Sequence, residues 1–340
     1  MKRHSELHDA LTSGDLEWVT ALLHDGADIE EHNSFGWTPL MAASLKGQVD
    51  IARLLLDHGA ELNATDREGK SAIHYAGMRG GAEAVRLLVR LGANINAVES
   101  FGGYTPLHLA AGHCNRKIVQ DTCAALLAAG ADVNARNKWG STALWSAALA
   151  MRGDLVDFLL QHGAEIDIRD NSGRTVLIFV TTHFFGGDII ERLLAHGAQV
   201  NARDAESRTA LMYAAISARR SIMDTLLDGG ADINLQDIRG ATALMYAAGE
   251  APAASEIGVL GCEASTRDVG AQTAAWDPAK KAARLAKAYH ERAEAIRHLL
   301  ARGADPTLRD AEGRTALDVA MQNGNVVEGD NAEMVTVLTA

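Results

Sequence analysis

Aromatic residues are scarce in this chain: Phe, Trp and Tyr make up 5% of 340 residues, of which 47% are hydrophobic. Its helices must therefore stack through Ala and Leu. Cysteine is scarcer still, and Cys114, Cys123 and Cys262 are an odd number at irregular spacing without a CxxC pair, so neither a disulfide framework nor a zinc site is suggested. The opening MKRHSELHDA has no apolar run behind its basic residues, and no apolar stretch of spanning length follows. A cytoplasmic protein that does not engage membranes is expected. Positive charge is also in deficit, and a net charge of -12 argues against general affinity for nucleic acid or anionic lipid.

What the chain has is periodicity. A Gly-Ala pair recurs at 26/27, 59/60, 92/93, 130/131, 163/164, 197/198, 230/231 and 303/304, at intervals of 33, 33, 38, 33, 34, 33 and 73 residues. A second marker, Gly or a substitute followed by x-Thr/Ser-Pro/Ala/Val-Leu/Ile, keeps the same phase at Thr38, Ser71, Thr105, Thr142, Thr175, Thr209, Thr242 and Thr315. Thr38-Pro39 and Thr105-Pro106 pair a helix cap with a first-turn Pro, so a first helix starts there. Small residues follow, as in LMAAS and LHLAA, then an amphipathic second run such as VDIARLLLDHG, which stops at Gly. A stretch rich in Asp, Asn and Gly, such as ADVNARNKWG, turns toward the next module.

This pattern resembles the ankyrin repeat, with its T-P-L-H-x-A signature. The resemblance implies an all-α repeat solenoid of stacked helix-turn-helix modules with β-turn or hairpin fingers, here a single domain over residues 1–340. Residues 5–32 form an N-terminal cap, 33–310 seven repeats, the seventh with an insertion at about 249–290, and 311–340 a C-terminal capping repeat. His74 and His108 fall on the signature His, where the resemblance implies a structural hydrogen bond; Met41, Trp145, Ile178, Met212, Met245 and Asp318 hold that position elsewhere.

Repetition also tests for catalysis, because a residue serving the architecture recurs at one phase. His58, His162 and His196 precede the Gly ending a second helix, and Asn63, Asn96, Asn134, Asn201 and Asn234 share one turn position. The polar residues peculiar to one module, His113 with Cys114, His183 and Cys262, form no recognisable constellation. No catalytic residue, cofactor or metal is expected. The glycines follow the repeat, and no phosphate-binding loop is among them.

What remains is a surface for a protein partner of unknown identity, bound by a monomer to inhibit, shield or tether it. The resemblance places binding on the concave face of turn tips and first helices. There Phe35, Trp37, Phe101, Tyr104 and Trp139 lie at tips, and Trp145 starts the following first helix. The alternative is that neighbouring fingers bury these rings against each other, as the shared phase of Phe35 and Phe101 allows. Lys70, Arg174, Arg208 and Arg314 follow the marker and give a basic end to the same groove. Two other functions stay open: an effector or enzyme subunit with a small site in the non-repeating loops, and a multi-partner scaffold.

Departures from the repeat are informative. Five extra residues around GHCNRKIVQDTC and one around VTTHFFGGD are expected to enlarge inter-helix loops, and Ser207 in place of the marker Gly puts its tight turn in doubt. In the long interval, Gly249 to Trp276 lacks helical periodicity and reads as a mobile loop, whereas Asp277-Pro278 opens a helix that runs to Arg302. That helix carries seven Lys or Arg against three Asp or Glu from 277 to 302, and is either a second binding element or a passive, solvated extension.

Overall fold

At Thr38-Pro39 the structure, a computed structural model, starts a helix as the cap chemistry requires: the Thr38 hydroxyl accepts the Met41 N–H at 3.4 Å, and Pro39 occupies the first turn. The structure describes residues 6–112, 116–182, 187–249, 278–323 and 332–339, which fall into two units, Met1–Asn171 and Ser172–Ala340.

In the first unit, helices come in pairs: α1 (Glu6–Ser13) with α2 (Leu16–His24), α3 (Pro39–Lys46) with α4 (Val49–Asp57), α5 (Ala72–Tyr75) with α6 (Gly81–Arg90), α7 (Pro106–Gly112) with α8 (Arg116–Ala128), and α9 (Ala143–Leu149) with α10 (Gly153–Gln161). First helices pack on first helices and second on second, α3 on α5, α7 on α9, α4 on α6 and α6 on α8. The small residues explain the close spacing. Leu40, Met41, Ala42, Ala43 and Ser44 are all buried. A five-residue π-helical stretch, Ala76–Gly80, joins α5 to α6, and a Cβ at Gly77 would lie only 2.8 Å from the Pro106 carbonyl oxygen.

The second unit repeats the scheme with α11 (Val176–Thr181), α12 (Gly187–Ala195), α13 (Ala210–Ile216), α14 (Arg220–Asp228), α15 (Ala243–Ala248), α16 (Pro278–Ala301), α17 (Ala316–Asn323) and α18 (Ala332–Thr339). The inserted helix and the seventh second helix are one element of 24 residues, roughly 36 Å long. Its C-terminal half buries Ala293, Ala295, Ile296 and Leu299. On one flank Arg302 binds Asp224 at 3.0 Å and Asp228 at 2.6 Å, and on the other Arg297 binds Glu333 of α18 at 2.7 Å. This half of the helix is thus held by fold-back onto α14 and α18. The loop expected at Gly249 to Trp276 lies, from residue 250 on, outside the described residues.

Side-chain ladders explain the recurrent Asn and His. Asn96 Oδ1 accepts the Asp132 N–H at 2.9 Å and Asn134 Oδ1 the Glu165 N–H at 2.8 Å. Asn234 does the same for Asp305 at 2.9 Å, across the whole insertion. His58 and His162 each place Nδ1 2.8 Å from the carbonyl four residues earlier, closing a helix end. At the signature position, His74 Nδ1 accepts the Ser71 N–H at 3.1 Å, and the same bond is made by Met41 Sδ, Met212 Sδ and Asp318 Oδ2. His74 and His108 also bridge to the following finger, with Nε2 3.1 Å from Ala97 O and 3.0 Å from Ser141 O.

Two expectations about departures from the repeat are corrected. In the third module α8 begins ten residues after Pro106, as α4 begins ten after Pro39, but α8 has 13 residues and α4 nine. Four of the five extra residues thus lengthen a helix, and the fifth sits in the fingertip before Thr105. Ser207 keeps its tight turn by adopting φ 61, and its N–H still reaches Asp204 O at 3.0 Å.

That conformation is strained for a residue with a Cβ, as it is for Met151 (φ 55) and Ala218 (φ 50), which stand between helices where Gly47 has φ 67. Replacing Ser207 by Gly is expected to stabilise the second unit by roughly 0.5–1 kcal/mol, the left-handed strain relieved less the extra freedom of unfolded Gly. A urea titration of S207G that shows no gain would contradict the strain.

Burial lowers the pKa of His74 and His108 below the ordinary 6.5, with hydrogen bonds to backbone carbonyls opposing it. Each imidazole therefore stays neutral in the folded chain at pH values where the unfolded one takes a proton. Their contribution is complete above pH 6.5 and is lost as pH falls from there toward the folded values. Hydrogen exchange of the α7 amides is expected to quicken as pH falls below 6.5, after correction for intrinsic rates, and less steeply in H108N.

Candidate partner-binding surface

Seven of the described fingertips are closed by the side chain of their first residue. Asn33, Asp66, Asn137, Asp204, Asp237 and Asp310 each accept the N–H groups two and four residues on, at 2.8–3.0 Å. Glu99 has one more methylene and its finger one more residue; it accepts from Phe101 at 2.7 Å, Gly102 at 2.5 Å and Tyr104 at 3.1 Å. Burial works to raise the Glu99 pKa, but these three donors outweigh it and hold the carboxyl below its ordinary range.

The closed tips are then joined by backbone rungs. In the first unit Ser100 N–H donates to Glu68 O at 2.6 Å, Lys138 to Gly102 O at 2.8 Å and Asn171 to Trp139 O at 2.9 Å. In the second, Ala311 donates to Arg239 O at 2.7 Å, so the seventh and eighth tips are neighbours despite the insertion between them.

On this frame the aromatic tips of the first unit form two groups. Phe35 stacks on Trp37 with centroids 5.1 Å apart, and Trp37 meets Tyr75 of the next module at 5.0 Å. Trp139 meets Tyr104 at 5.5 Å and Phe101 at 6.5 Å, edge-on. The rings divide by exposure: Trp37 and Tyr104 are half-buried between fingers, whereas Phe35 is 68%, Phe101 70% and Trp139 40% exposed.

The remaining candidates are elsewhere. Trp145 is 4% exposed, because it occupies the signature position inside the first-helix layer, and it offers no surface to a partner. Arg174 and Arg208 are buried, so the expected basic end of the groove is corrected. The Arg208 guanidinium lies 5.9 Å over the Tyr246 ring and donates to its hydroxyl at 3.1 Å; that of Arg174 lies 5.6 Å over Phe179. Lys70 is half-buried and paired with Glu68.

Tyr75, Tyr213 and Tyr246 were not foreseen. Each stands nine residues after a tip Asp, and its hydroxyl donates to that residue's second carboxylate oxygen, at 2.6 Å for Tyr213 and Tyr246. Burial and the adjoining carboxylate push all three phenols up. The Asp-to-Tyr spacing of nine is a signal the sequence carried.

Burial pushes the Cys123 thiol up to about 12, so it stays protonated and unreactive. His113, Cys114, His183 and Cys262 lie outside the described residues. Among the described residues no group of three His, Cys, Asp or Glu could hold a metal ion, and no helix is long and apolar enough to cross a membrane.

Comparison with known proteins agrees with the repeat geometry. The family model for ankyrin repeats (3 copies) matches residues 7–99, 66–137, 94–170, 120–204, 150–237 and 184–257. Protein phosphatase 1 regulatory subunit 27 of Homo sapiens, and that of Mus musculus, are each 50% identical over 46 residues, which is 14% of this chain and 30% of theirs. The chain thus aligns with under a third of these relatives' length, little more than one repeat. The ankyrin repeat domain of Bcl-3, described as a unique member of the IkappaB protein family, superposes with a TM-score of 0.56 at 28% identity, over 67% of this chain and all of that one. With the period, the paired helices and the bonded fingers all in agreement with that model, the chain belongs to the ankyrin-repeat family, whose stacked helix pairs are protein-binding modules.

Proposed function

We propose that the chain is a non-catalytic protein-binding module whose partner docks on the fingertips of the first unit, and that binding inhibits, shields or tethers that partner. The observation that carries this is the exposure of Phe35, Phe101 and Trp139 in a chain with only 16 aromatic residues, on tips that the fold tolerates as Glu68, Ser172 or Arg239 elsewhere. Large rings kept in water without a packing need favour an interface, where aromatic anchors dominate affinity. In the second unit Arg208 and Arg239 are held on the Tyr246 hydroxyl, Arg174 on the Phe179 ring and Arg314 on Asp310, so it has a lesser claim. The phosphatase named for the human and mouse relatives belongs in a first partner screen, on the strength of those 46 residues alone.

Substitution separates docking from stability. Phe35→Ala and Phe101→Ala together are expected to abolish capture of the native partner while the melting curve stays nearly unchanged, since both rings are mostly in water. Trp37→Ala and Tyr104→Ala cost roughly 1–3 kcal/mol as well, because each ring joins one module to the next, Trp37 through Tyr75 and Tyr104 through Trp139. Partner capture by the Phe35, Phe101 double variant at wild-type strength would refute the fingertip site.

A further inference from the structure

The first unit is acidic, with 15 Lys and Arg against 22 Asp and Glu over residues 1–171, yet its aromatic tips are not. Three exposed cations stand on these fingers. Arg67 crosses the Gly36 turn between Phe35 and Trp37, so near that a Cβ on Gly36 would lie 3.4 Å from its Nε. Lys138 reaches back to the carbonyls of Ser100 and Phe101, the latter at 3.1 Å, and thus sits beside the Phe101 ring. Arg136 donates to Gly140 O at 3.3 Å and Arg169 O at 2.8 Å. The acceptors that hold Lys138 and Arg136 here are neutral carbonyls, so their charge persists.

The oxygens of the carboxylates nearby are already engaged, so the cations are what a docking segment meets. Asp66 and Glu99 are turned inward on the tip N–H groups, and the exposed Glu68 is paired with Lys70. The tips consequently present rings and positive charge on a negative body, a pattern that selects a ligand of the opposite sign and orients it toward this face.

We propose that the tips from Asn33 to Thr142 bind a protein segment that is acidic and carries aromatic or aliphatic anchors, its carboxylates meeting Arg67, Arg136 and Lys138 and its anchors meeting Phe35, Phe101 and Trp139. This rests on the fingertip reading above and adds the sign of the partner's charge. Cations among stacked rings also suit single-stranded nucleic acid. The net charge of -12 makes that the less favoured ligand.

The test is selection of displayed random peptides of about twelve residues, roughly 40 Å when extended, on the full chain, followed by titration of the enriched peptides as synthetic probes. Enriched sequences are expected to combine Asp or Glu with Phe, Trp, Leu or Ile. Their affinity is expected to fall about tenfold or more in R67E/K138E, to fall less in R67Q/K138Q, and to weaken with added salt on the unaltered protein. The salt series needs no substituted chain, so a variant that fails to fold leaves the test standing. Enriched peptides without acidic bias that still lose binding in F35A/F101A overturn the charge proposal and leave the fingertip site intact. Peptides indifferent to F35A/F101A, or no enrichment, overturn both. Oligothymidylate binding tighter than the best peptide, and lost in R67E/K138E, overturns it in favour of nucleic acid.

Discussion

The fingertip face depends on one hydrogen-bonding arrangement: a tip side-chain oxygen accepting backbone N–H groups of its own turn. Without it each finger would leave donors unpaired near the neighbouring chain, at a cost of about 1–3 kcal/mol per buried group. With it the turn is rigid enough for the next tip to add a backbone rung, as Lys138 does on Gly102. Once tips are pinned in line, the residues two and four places past the acceptor necessarily fall into rows. The aromatic pairing of Trp139 with Tyr104 is a result of that alignment, and Trp37 meets Tyr75 because the Tyr75 hydroxyl is tied to the next tip's Asp66.

The same bond divides charge between the inside and the outside of the fingers. A carboxylate that serves as the acceptor is spent on N–H groups and, where a Tyr stands nine residues on, on a phenol as well. Its oxygens are turned from solvent, and an otherwise acidic protein can show rings and cations at its tips. Arg208 illustrates the other outcome, since a guanidinium four residues past the acceptor is drawn into the phenol network and away from solvent.

The repeat, its phase, the caps and the long inserted helix were legible because each is local: a Thr-Pro cap, a Gly stop and a helical apolar period depend on a few neighbouring residues. Exposure was not. Trp145 and Trp139 are six residues apart, and only the phase of the signature position puts the first inside the helix layer and the second on the tip. Arg174 and Arg208 look like solvated tip charges in sequence, since the rings that receive them, Phe179 and Tyr246, lie five and 38 positions away. The extra residues before Cys123 were misplaced for a different reason, since four residues make about one helical turn and lengthen a helix without disturbing its register.

Nearest-neighbour stacking explains how such departures are absorbed. A module needs its inner helix, its rung and its Asn contact to meet the module before it, and nothing requires those partners to be near in sequence. Ala311 reaches Arg239, and Asp305 reaches Asn234, as though the intervening segment were absent. The inserted helix is free to extend because its continuation, from Ala293 to Leu299, still presents the apolar face that α15 expects, while Arg297 and Arg302 fix its flanks. Most of the variation is thereby taken up at helix ends and connections, while rungs that recur from the second tip onward hold in line the fingertips proposed to carry recognition.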